Sequence, residues 1–189
     1  MIKIPKKNIE LATGYKVKKN FTSLGLDIAT KSGYALVKSN CENITIECGY
    51  LAFDSSVEKE LYRNMYNTFK GLISGEDLVV IENTHHQINP MVTIKLSRFG
   101  GMAIGLCIEN KLPYQIIGAT SSRSKLGINT KKAGKGKAKE AVADWLKNNL
   151  GIDLGLDLND ASDAIVLALL GILEGLDFRS QDAIKKDKK

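Results

Sequence analysis

The sequence has little cysteine and little proline, and it has no long apolar run. Its three cysteines (Cys41, Cys48 and Cys107) are widely spaced and form no CxxC pair, which is typical of reduced thiols rather than of a zinc site or a disulfide framework. With three prolines and no Gly/Ser-rich linker, nothing marks an internal domain boundary. No apolar stretch approaches the ~20 residues that span a bilayer, and the N-terminus lacks the apolar segment of a signal peptide. We therefore expect a cytoplasmic protein that is neither secreted nor bound to a membrane.

Positive charge is concentrated in three segments. Residues 1–20 carry six lysines against Glu10, residues 118–139 carry seven basic residues and no acid, and the last ten residues carry four lysines against two aspartates. Because the whole chain carries a net charge of only +6, the remainder is acidic. This distribution indicates a polyanionic partner, although a solvated basic surface would look the same. We predict a basic N-terminal extension over residues 1–20, a single domain over residues 21–178 and a basic tail over residues 179–189.

The hydrophobic pattern predicts an α/β fold. Leu24, Leu26 and Ile28 alternate with polar or small residues, which is the period of a strand. Further predicted strands lie in YALVK, ITIECGYLAF, LVVIE and PYQIIGA, and predicted helices cover residues 56–74, 91–110, 138–150 and about 159–175, with a basic loop over 120–137. This order indicates a mixed five-stranded sheet, built from a three-stranded antiparallel meander and two parallel strands, with helices on both faces. It is the order of the ribonuclease H-like fold, which serves nucleases, transposases and sugar-kinase-like ATPases.

Four acidic residues stand at positions that favour a metal site. Asp160 and Asp163 are three residues apart at the start of an apolar helix, where they would share one face with Leu167. Both could simply complement the positive helix N-terminus, for about 0.3–1 kcal/mol each. A second carboxylate aligned with a buried seam is costly unless a cation binds it, however, and a hard divalent ion prefers such oxygen ligands. Asp27 in the first strand and Glu82 at the end of LVVIE are the other two; alone, each could be a turn former or a strand terminator.

Three motifs in order resemble the RuvC family of Holliday-junction resolvases. LGLDIATKSGYAL is similar to the family's opening strand and turn, VVIENTHHQINPMVTIKLSRFGG to its second motif, and NDASDAIVLAL to its closing motif. The resemblance covers about residues 22–175. It implies a ribonuclease H-like nuclease in which Asp27, Glu82, Asp160 and Asp163 bind two Mg²⁺ ions, with Mn²⁺ able to substitute. In that mechanism one ion activates a water for attack on a phosphodiester, and the other stabilises the leaving oxygen.

The resemblance also implies which residues contact DNA and how the protein assembles. Lys125 and Lys139 match positions where the family keeps basic junction contacts, and His85 stands where many members carry an aromatic residue. The expected DNA contacts are Arg123, Lys125, Lys131, Lys132, Lys135, Lys137, Lys139, Lys95 and His85. A solvated loop, and for His85 an ordinary loop residue or a base near the metal, are the alternatives. The helix that builds the dimer interface in the resolvases here carries Lys95, Arg98, Met102 and Gly105. Gly101 and Gly105, four residues apart, would allow another helix to approach closely, although close packing on the sheet would also explain them.

The function implied by the resemblance is resolution of four-way junctions by paired nicks in opposed strands, with a homodimer presenting two active sites. Such an enzyme would work where the cell keeps its DNA, with or without a branch-migration motor. A related nuclease acting on branched DNA, flaps or RNA–DNA hybrids is the nearest alternative. An ATP-handling phosphotransferase would need a second glycine-rich motif that is not evident, and a DNA-binding protein without catalysis would not need all four acids.

Overall fold

The structure, a computed structural model, describes residues 1–29, 31–53, 57–84, 89–130, 134, 137–155 and 161–178. The strands and helices, in chain order, are β1 (Ile2–Pro5), α1 (Lys6–Thr13), β2 (Phe21–Asp27), β3 (Lys31–Ser39), β4 (Asn43–Ala52), α2 (Glu58–Leu72), β5 (Leu78–Glu82), α3 (Pro90–Glu109), β6 (Tyr114–Ile117), α4 (Ala119–Lys125), α5 (Ala138–Leu150) and α6 (Ser162–Gly171).

The strands form one mixed sheet in the order β1-β4-β3-β2-β5-β6. The pairs β1–β4, β4–β3 and β3–β2 are antiparallel, whereas β2–β5 and β5–β6 are parallel. This arrangement confirms the predicted meander with two parallel strands beside it. The predicted count of five strands was wrong, because the N-terminal segment adds a sixth strand at the edge of the meander.

The first twenty residues therefore fold onto the domain instead of extending from it. Ile4 of β1 and Ile9 of α1 are buried in the core, and β1 pairs with the first four residues of β4, with Ile2 opposite Ile46. Further on, Val17 forms an isolated bridge with Leu173, just beyond the end of α6. The strand β1 was not predicted. Its short alternating pattern, Ile2 and Ile4, is interrupted and followed by lysines, although such a pattern is typical of an edge strand.

Each face of the sheet is covered by helices. On one face, α2 and α3 bury Met65, Phe69 and Phe99 against Leu24 and Leu26 of β2. On the other face, α6 packs on the sheet together with α5, and the core there includes Ala35 and Val37 of β3. The two sides of β2 thus serve two separate cores, and its small and polar residues face α6.

Helix α6 is the central helix of the molecule. All ten of its residues are buried, so the helix has no single buried seam of the kind that the spacing of Asp163 and Leu167 predicted. It ends at Gly171, earlier than the predicted end near Gly175, whereas the predicted start at residue 159 or 160 lies outside the described residues. Apolar residues on every side are typical of a helix enclosed by other elements, here β2, β3 and β5 below and α4 and α5 around it.

Two other helices differ from what the sequence pattern suggested. The predicted loop over 120–137 begins with a helix, α4, whose polar sequence ATSSRSK has no hydrophobic period to reveal it. The expectation that no apolar stretch approaches the length that spans a bilayer was wrong for α3, the one described helix that is long and apolar enough, by length and composition, to cross a membrane. It contributes Leu96, Phe99 and Leu106 to the core, and buried helices of globular domains pass the same test.

Candidate active site

The packing of α6 on β2 brings Asp27 and Asp163 to the same end of the sheet. A methyl group at Gly171 would overlap the side chain of Ser23, and one at Gly25 would lie against the carbonyl oxygen of Ala164 and 2.6 Å from the backbone nitrogen of Ala168. The helix therefore runs antiparallel to the strand in direct backbone contact. Asp27 is two residues beyond Gly25. It therefore lies beside the N-terminal end of α6, where Ser162 and Asp163 begin the helix.

The parallel pairing of β2 with β5 adds Glu82 to this end. Leu26 lies opposite Ile81, so the next residue of each strand, Asp27 and Glu82, comes last in its strand at the same edge. The side chain of Val80 would be 3.3 Å from a methyl group at Gly171, so it points toward α6. Because side chains alternate along a strand, Glu82 points the same way. The three acids thus come from three elements that meet at one place.

Asp27 and Glu82 are hydrogen-bonded to each other, and their burial raises the pKa of both carboxyl groups. The pKa of Glu82 is raised to about 9, mainly by burial and also by the charge of Asp27, the hydrogen bond to Asp27 and the charge of Asp163, while the charge of Arg123 opposes the rise. Burial is also the largest cause of the raised pKa of Asp27, opposed by the Glu82 hydrogen bond and the charges of Lys139 and Arg123. Near neutral pH, the protonated Glu82 therefore donates a hydrogen bond to the Asp27 carboxylate.

Asp163 is held by Arg123 from α4. The guanidinium donates through Nε to Oδ1 at 2.9 Å and through Nη2 to Oδ2 at 2.7 Å, a two-point geometry that fixes the orientation of both groups. The side chains are only 13% and 6% exposed, so the pair is nearly closed off from water. The sequence placed Arg123 among the expected DNA contacts and gave no signal of this pairing with Asp163, which lies 40 residues further along the chain.

The donor atoms gathered here suit a hard divalent cation, because all of them are carboxylate oxygens. Among residues that the structure describes, no group of three or more His, Cys, Asp or Glu side chains is arranged to hold a metal. Asp27 and Glu82 are hydrogen-bonded to each other, and Asp163 is hydrogen-bonded to Arg123. Asp160, the fourth expected ligand, lies outside the described residues. Asp27 and Glu82 share one proton beside a third acid, Asp163. We expect this arrangement at a site where a bound cation would displace the shared proton.

The other predicted residues have varied positions. Lys139, in the first turn of α5, is exposed and close enough for its charge to lower the pKa of Asp27. Lys125 donates to the carbonyl oxygen of Asp177, Lys137 pairs with Glu140 at 3.8 Å, and Lys95 lies 5.8 Å from the Phe99 ring centre. His85, Lys131, Lys132 and Lys135 lie outside the described residues, so their expected DNA contacts stay predictions.

Similarity to known proteins identifies the family of this chain. The family model for crossover junction endodeoxyribonuclease RuvC matches residues 23–170. This chain belongs to the RuvC family. The RuvC protein of Campylobacter jejuni strain RM1221 is 33% identical over 157 residues, which cover 79% of this chain and 93% of that protein. The RuvC protein of Campylobacter concisus is also 33% identical, over 153 residues. As a member of the RuvC family, the chain is a crossover junction endodeoxyribonuclease, and the family's nucleases are metal-dependent.

Solved RuvC structures confirm the ribonuclease H-like fold. Thermus thermophilus RuvC in complex with a Holliday junction substrate superposes with a TM-score of 0.63 at 15% identity, over 78% of this chain and 90% of that one. The yeast mitochondrial Holliday junction resolvase Ydc2 superposes with a TM-score of 0.54 at 13% identity, over 85% and 81% of the two chains. The family match begins at residue 23, so β1 and α1 lie before the matched region.

Proposed function

We propose that this protein resolves four-way DNA junctions by metal-dependent hydrolysis of phosphodiester bonds in opposed strands, in the cytoplasmic compartment that contains the DNA. The observation that carries the proposal is the meeting of Asp27 and Glu82 in a hydrogen-bonded pair beside Asp163. Membership of the RuvC family supports the substrate, and one RuvC relative has been solved with a Holliday junction.

Asp27, Glu82, Asp160 and Asp163 would hold two Mg²⁺ ions, with Mn²⁺ able to replace them. When bound, these ions lower the pKa of a water for in-line attack and stabilise the departing 3′-oxygen. The chain's own part is to position the charges. The close contact of β2 with α6 fixes the separation of Asp27 from Asp163, and the two-point bond from Arg123 fixes the Asp163 carboxylate.

The basic groups around the acids balance their charge. Arg123 neutralises part of the negative charge of Asp163, and Lys139 lowers the cost of ionising Asp27. A phosphodiester approaching this edge of the sheet would otherwise meet only like charge. Glu82 must give up the proton it shares with Asp27 before all the carboxylates can act as ligands, so metal binding releases a proton.

The proposal is tested by incubating the purified protein with a synthetic four-way junction and a matched duplex, with Mg²⁺ and then with EDTA. We expect paired nicks in the junction with Mg²⁺ and none with EDTA. Asp27→Asn and Glu82→Gln should each lower the cleavage rate at least 100-fold while junction binding stays within a few-fold, because the phosphate contacts remain.

Asp77→Asn is the matched control for these variants. Asp77 precedes β5 at the end opposite Glu82, where its carboxylate accepts a hydrogen bond from the Thr22 backbone at 2.7 Å, a bond that asparagine can also accept. Its cleavage rate should equal that of the unchanged protein. Cleavage in EDTA, or full activity of Asp27→Asn, would contradict the proposed site. Preference for flaps or RNA–DNA hybrids over junctions would favour the related nuclease activity.

We propose further that the protein acts as a homodimer joined through α3. The outward face of this helix is apolar and small: Ile94 and Ile108 are 43% and 62% exposed, and Gly101 and Gly105 lie between them. A methyl group at either glycine would meet nothing within 4 Å, so the fold of one subunit does not itself require them. Small residues between exposed isoleucines allow a second helix to approach closely.

Sedimentation of two matched variants tests this assembly. Ile94→Glu places a charge in the proposed interface and should shift the protein from dimer to monomer. Leu11→Glu places the same charge at an exposed residue of α1 and should leave the dimer intact. A monomeric unchanged protein at micromolar concentration, or a dimeric Ile94→Glu, would contradict the interface.

A further inference from the structure

An exposed tyrosine lies in the same row of the sheet as the catalytic Asp27. In the register of the meander, Asp27 is opposite Gly33 of β3, and Gly33 is opposite Tyr50 of β4. Neighbouring strands are about 4.8 Å apart, so the backbones of Asp27 and Tyr50 are about 10 Å apart across two strands. Tyr50 is 45% exposed, so its ring is accessible from solvent.

Tyr50 also lies on the same face of the sheet as the acids. Directly opposed residues of antiparallel strands point to the same side of the sheet. Two and four residues along β3 from Gly33, the pairs Ala35 with Cys48 and Val37 with Ile46 point to this side as well, and they belong to the core beneath α6. Asp27 faces that side too. Gly33 lies between Asp27 and Tyr50 and has no side chain. The space between the Asp27 carboxylate and the tyrosine ring is therefore not filled by a side chain from this position of β3.

A lysine accompanies the ring. Lys31 begins β3, two residues before Gly33, and so points to the same side of the sheet. Its ammonium lies 4.0 Å from the centre of the Tyr50 ring. An aromatic face and a cation side by side are the two elements with which proteins hold single-stranded nucleic acid: the base stacks on the ring and the backbone phosphate pairs with the charge.

We propose that Tyr50 and Lys31 form a binding site for the strand being cut, in which the Tyr50 ring stacks on one nucleobase and Lys31 contacts a phosphate of the same nucleotide. This inference rests on the proposed function, because it takes the scissile phosphate to lie at Asp27. With a rise of about 3.4 Å per nucleotide, the 10 Å separation puts the stacked base within about three nucleotides of that phosphate.

The lysine does not prevent stacking. An exposed cation–π contact is weaker than the stacking of a base on an aromatic side chain, so a base can take the place of the ammonium on the ring. Lys31 then stays within reach of the phosphate attached to that base. Stacking tolerates any base, which suits an enzyme that recognises the branched shape of DNA. The site would hold an unpaired nucleotide at the branch point, where bases are available for stacking.

A scan with abasic nucleotides tests the site. Junctions carrying a single abasic nucleotide at successive positions around the crossover are titrated with protein in EDTA at fixed salt. We expect the unchanged protein to lose about tenfold in affinity at one position within three nucleotides of the cut. Tyr50→Ala should lose about tenfold on the intact junction and nothing further at that position. Tyr50→Leu should behave like Tyr50→Ala, whereas Tyr50→Phe should keep its affinity within about twofold.

The contribution of Lys31 is measured by salt dependence. Lys31→Met should reduce the slope of log Kd against log salt concentration by about 0.7, the value for one phosphate contact on single-stranded DNA. The matched control is Tyr66→Ala with Lys70→Met, a similar pair with 6.0 Å between the ammonium and the ring centre. This pair is on α2, on the other face of the sheet, and its variants should bind like the unchanged protein.

The outcomes separate this site from the proposed function. An equal loss at every abasic position in the unchanged protein and in Tyr50→Ala would overturn the tyrosine site, and cleavage with Mg²⁺ would leave the junction nuclease standing. A position-specific loss that disappears in Tyr50→Ala, without any cleavage, would keep the site and overturn the nuclease. An unchanged salt slope in Lys31→Met would remove the lysine from the site.

Discussion

The carboxyl pair of Asp27 and Glu82 couples the stability of the metal-free protein to pH. The pKa of Glu82 rises from 4.5 to about 9 on folding, chiefly through burial. Between these values the unfolded chain has lost the proton that the folded protein keeps, so the contribution of Glu82 to stability is complete below pH 4.5 and is lost as the pH rises through 9. At the residue scale, the candidate site is therefore a source of instability that a cation would relieve.

We accordingly expect Glu82→Gln to stabilise the metal-free protein more as the pH rises. Melting temperatures measured in EDTA between pH 5 and pH 9 should diverge, with the variant melting higher at pH 8 to 9, because glutamine keeps a neutral donor beside Asp27. Glu109→Gln, at the exposed end of α3, is the control and should follow the unchanged protein. Parallel curves for Glu82→Gln and the unchanged protein would show that Glu82 is ionised in the fold.

Individual site residues were predictable to different degrees. Asp27, Glu82 and Asp163 could be identified because each is a charge at the end of an apolar stretch, where a structural role is hard to justify. The pairing of Arg123 with Asp163 could not, because it joins residues 40 positions apart through a helix with no hydrophobic period. Such a contact follows from the packing of α4 on α6, which the sequence does not reveal.

At the scale of elements, the contact of β2 with α6 determines where the acids lie. Gly25 allows the backbones of strand and helix to touch, and the sequence pattern showed only that this side of β2 is small and polar. The alternation of Ser23, Gly25 and Asp27 with apolar residues predicted a strand, which the structure confirms as β2. In the structure both sides are buried, because the side of α6 that carries Ala164, Ala168 and Gly171 packs against the small residues of β2 as closely as the leucines pack against the other layer.

Gly25→Ala should therefore be strongly destabilising. The added methyl group would overlap the backbone of α6 at Ala164 and Ala168, and a helix enclosed on all sides has no room to retreat. We expect a loss of about 3 kcal/mol or more in the free energy of unfolding, at or above the upper end for overpacked cores.

Gly71→Ala in α2 is the matched substitution. Its methyl group would meet nothing within 4 Å, and alanine favours a helix over glycine by about 0.5–1 kcal/mol. Urea denaturation should show this variant to be equal to the unchanged protein or slightly more stable. A Gly25→Ala protein of normal stability would mean that α6 lies farther from β2 than described.

At the scale of the whole molecule, the N-terminal segment joins two parts of the fold that are far apart in the chain. Residues 1–20 cover the open edge of the meander with β1 and then reach the end of α6, where Lys18 Nζ donates to the carbonyl oxygen of Gly171 at 2.9 Å. Charge counting suggested an extension for binding polyanions. The segment has six lysines, but it is its buried isoleucines that attach it to the domain.

Two substitutions in α1 measure that role. Ile9 is fully buried, and Ile9→Ala should lower the free energy of unfolding by about 2–5 kcal/mol, the usual cost of truncating a core isoleucine. Leu11, two residues on, is 74% exposed, and Leu11→Ala should change stability by less than about 0.5 kcal/mol. Equal stability of the two variants, by chemical denaturation, would show that α1 does not pack on the domain.

The position of β1 has a practical consequence for anyone trimming the chain. A fragment cut to the family-matched residues 23–170 would lose β1, α1 and the Val17 bridge to Leu173. β4 would then be an exposed edge strand, with unpaired backbone N–H and C=O groups next to apolar side chains. Exposed edge strands of this kind pair with strands of other molecules. Such a fragment should precipitate or form mixed oligomers, which could be mistaken for the native assembly.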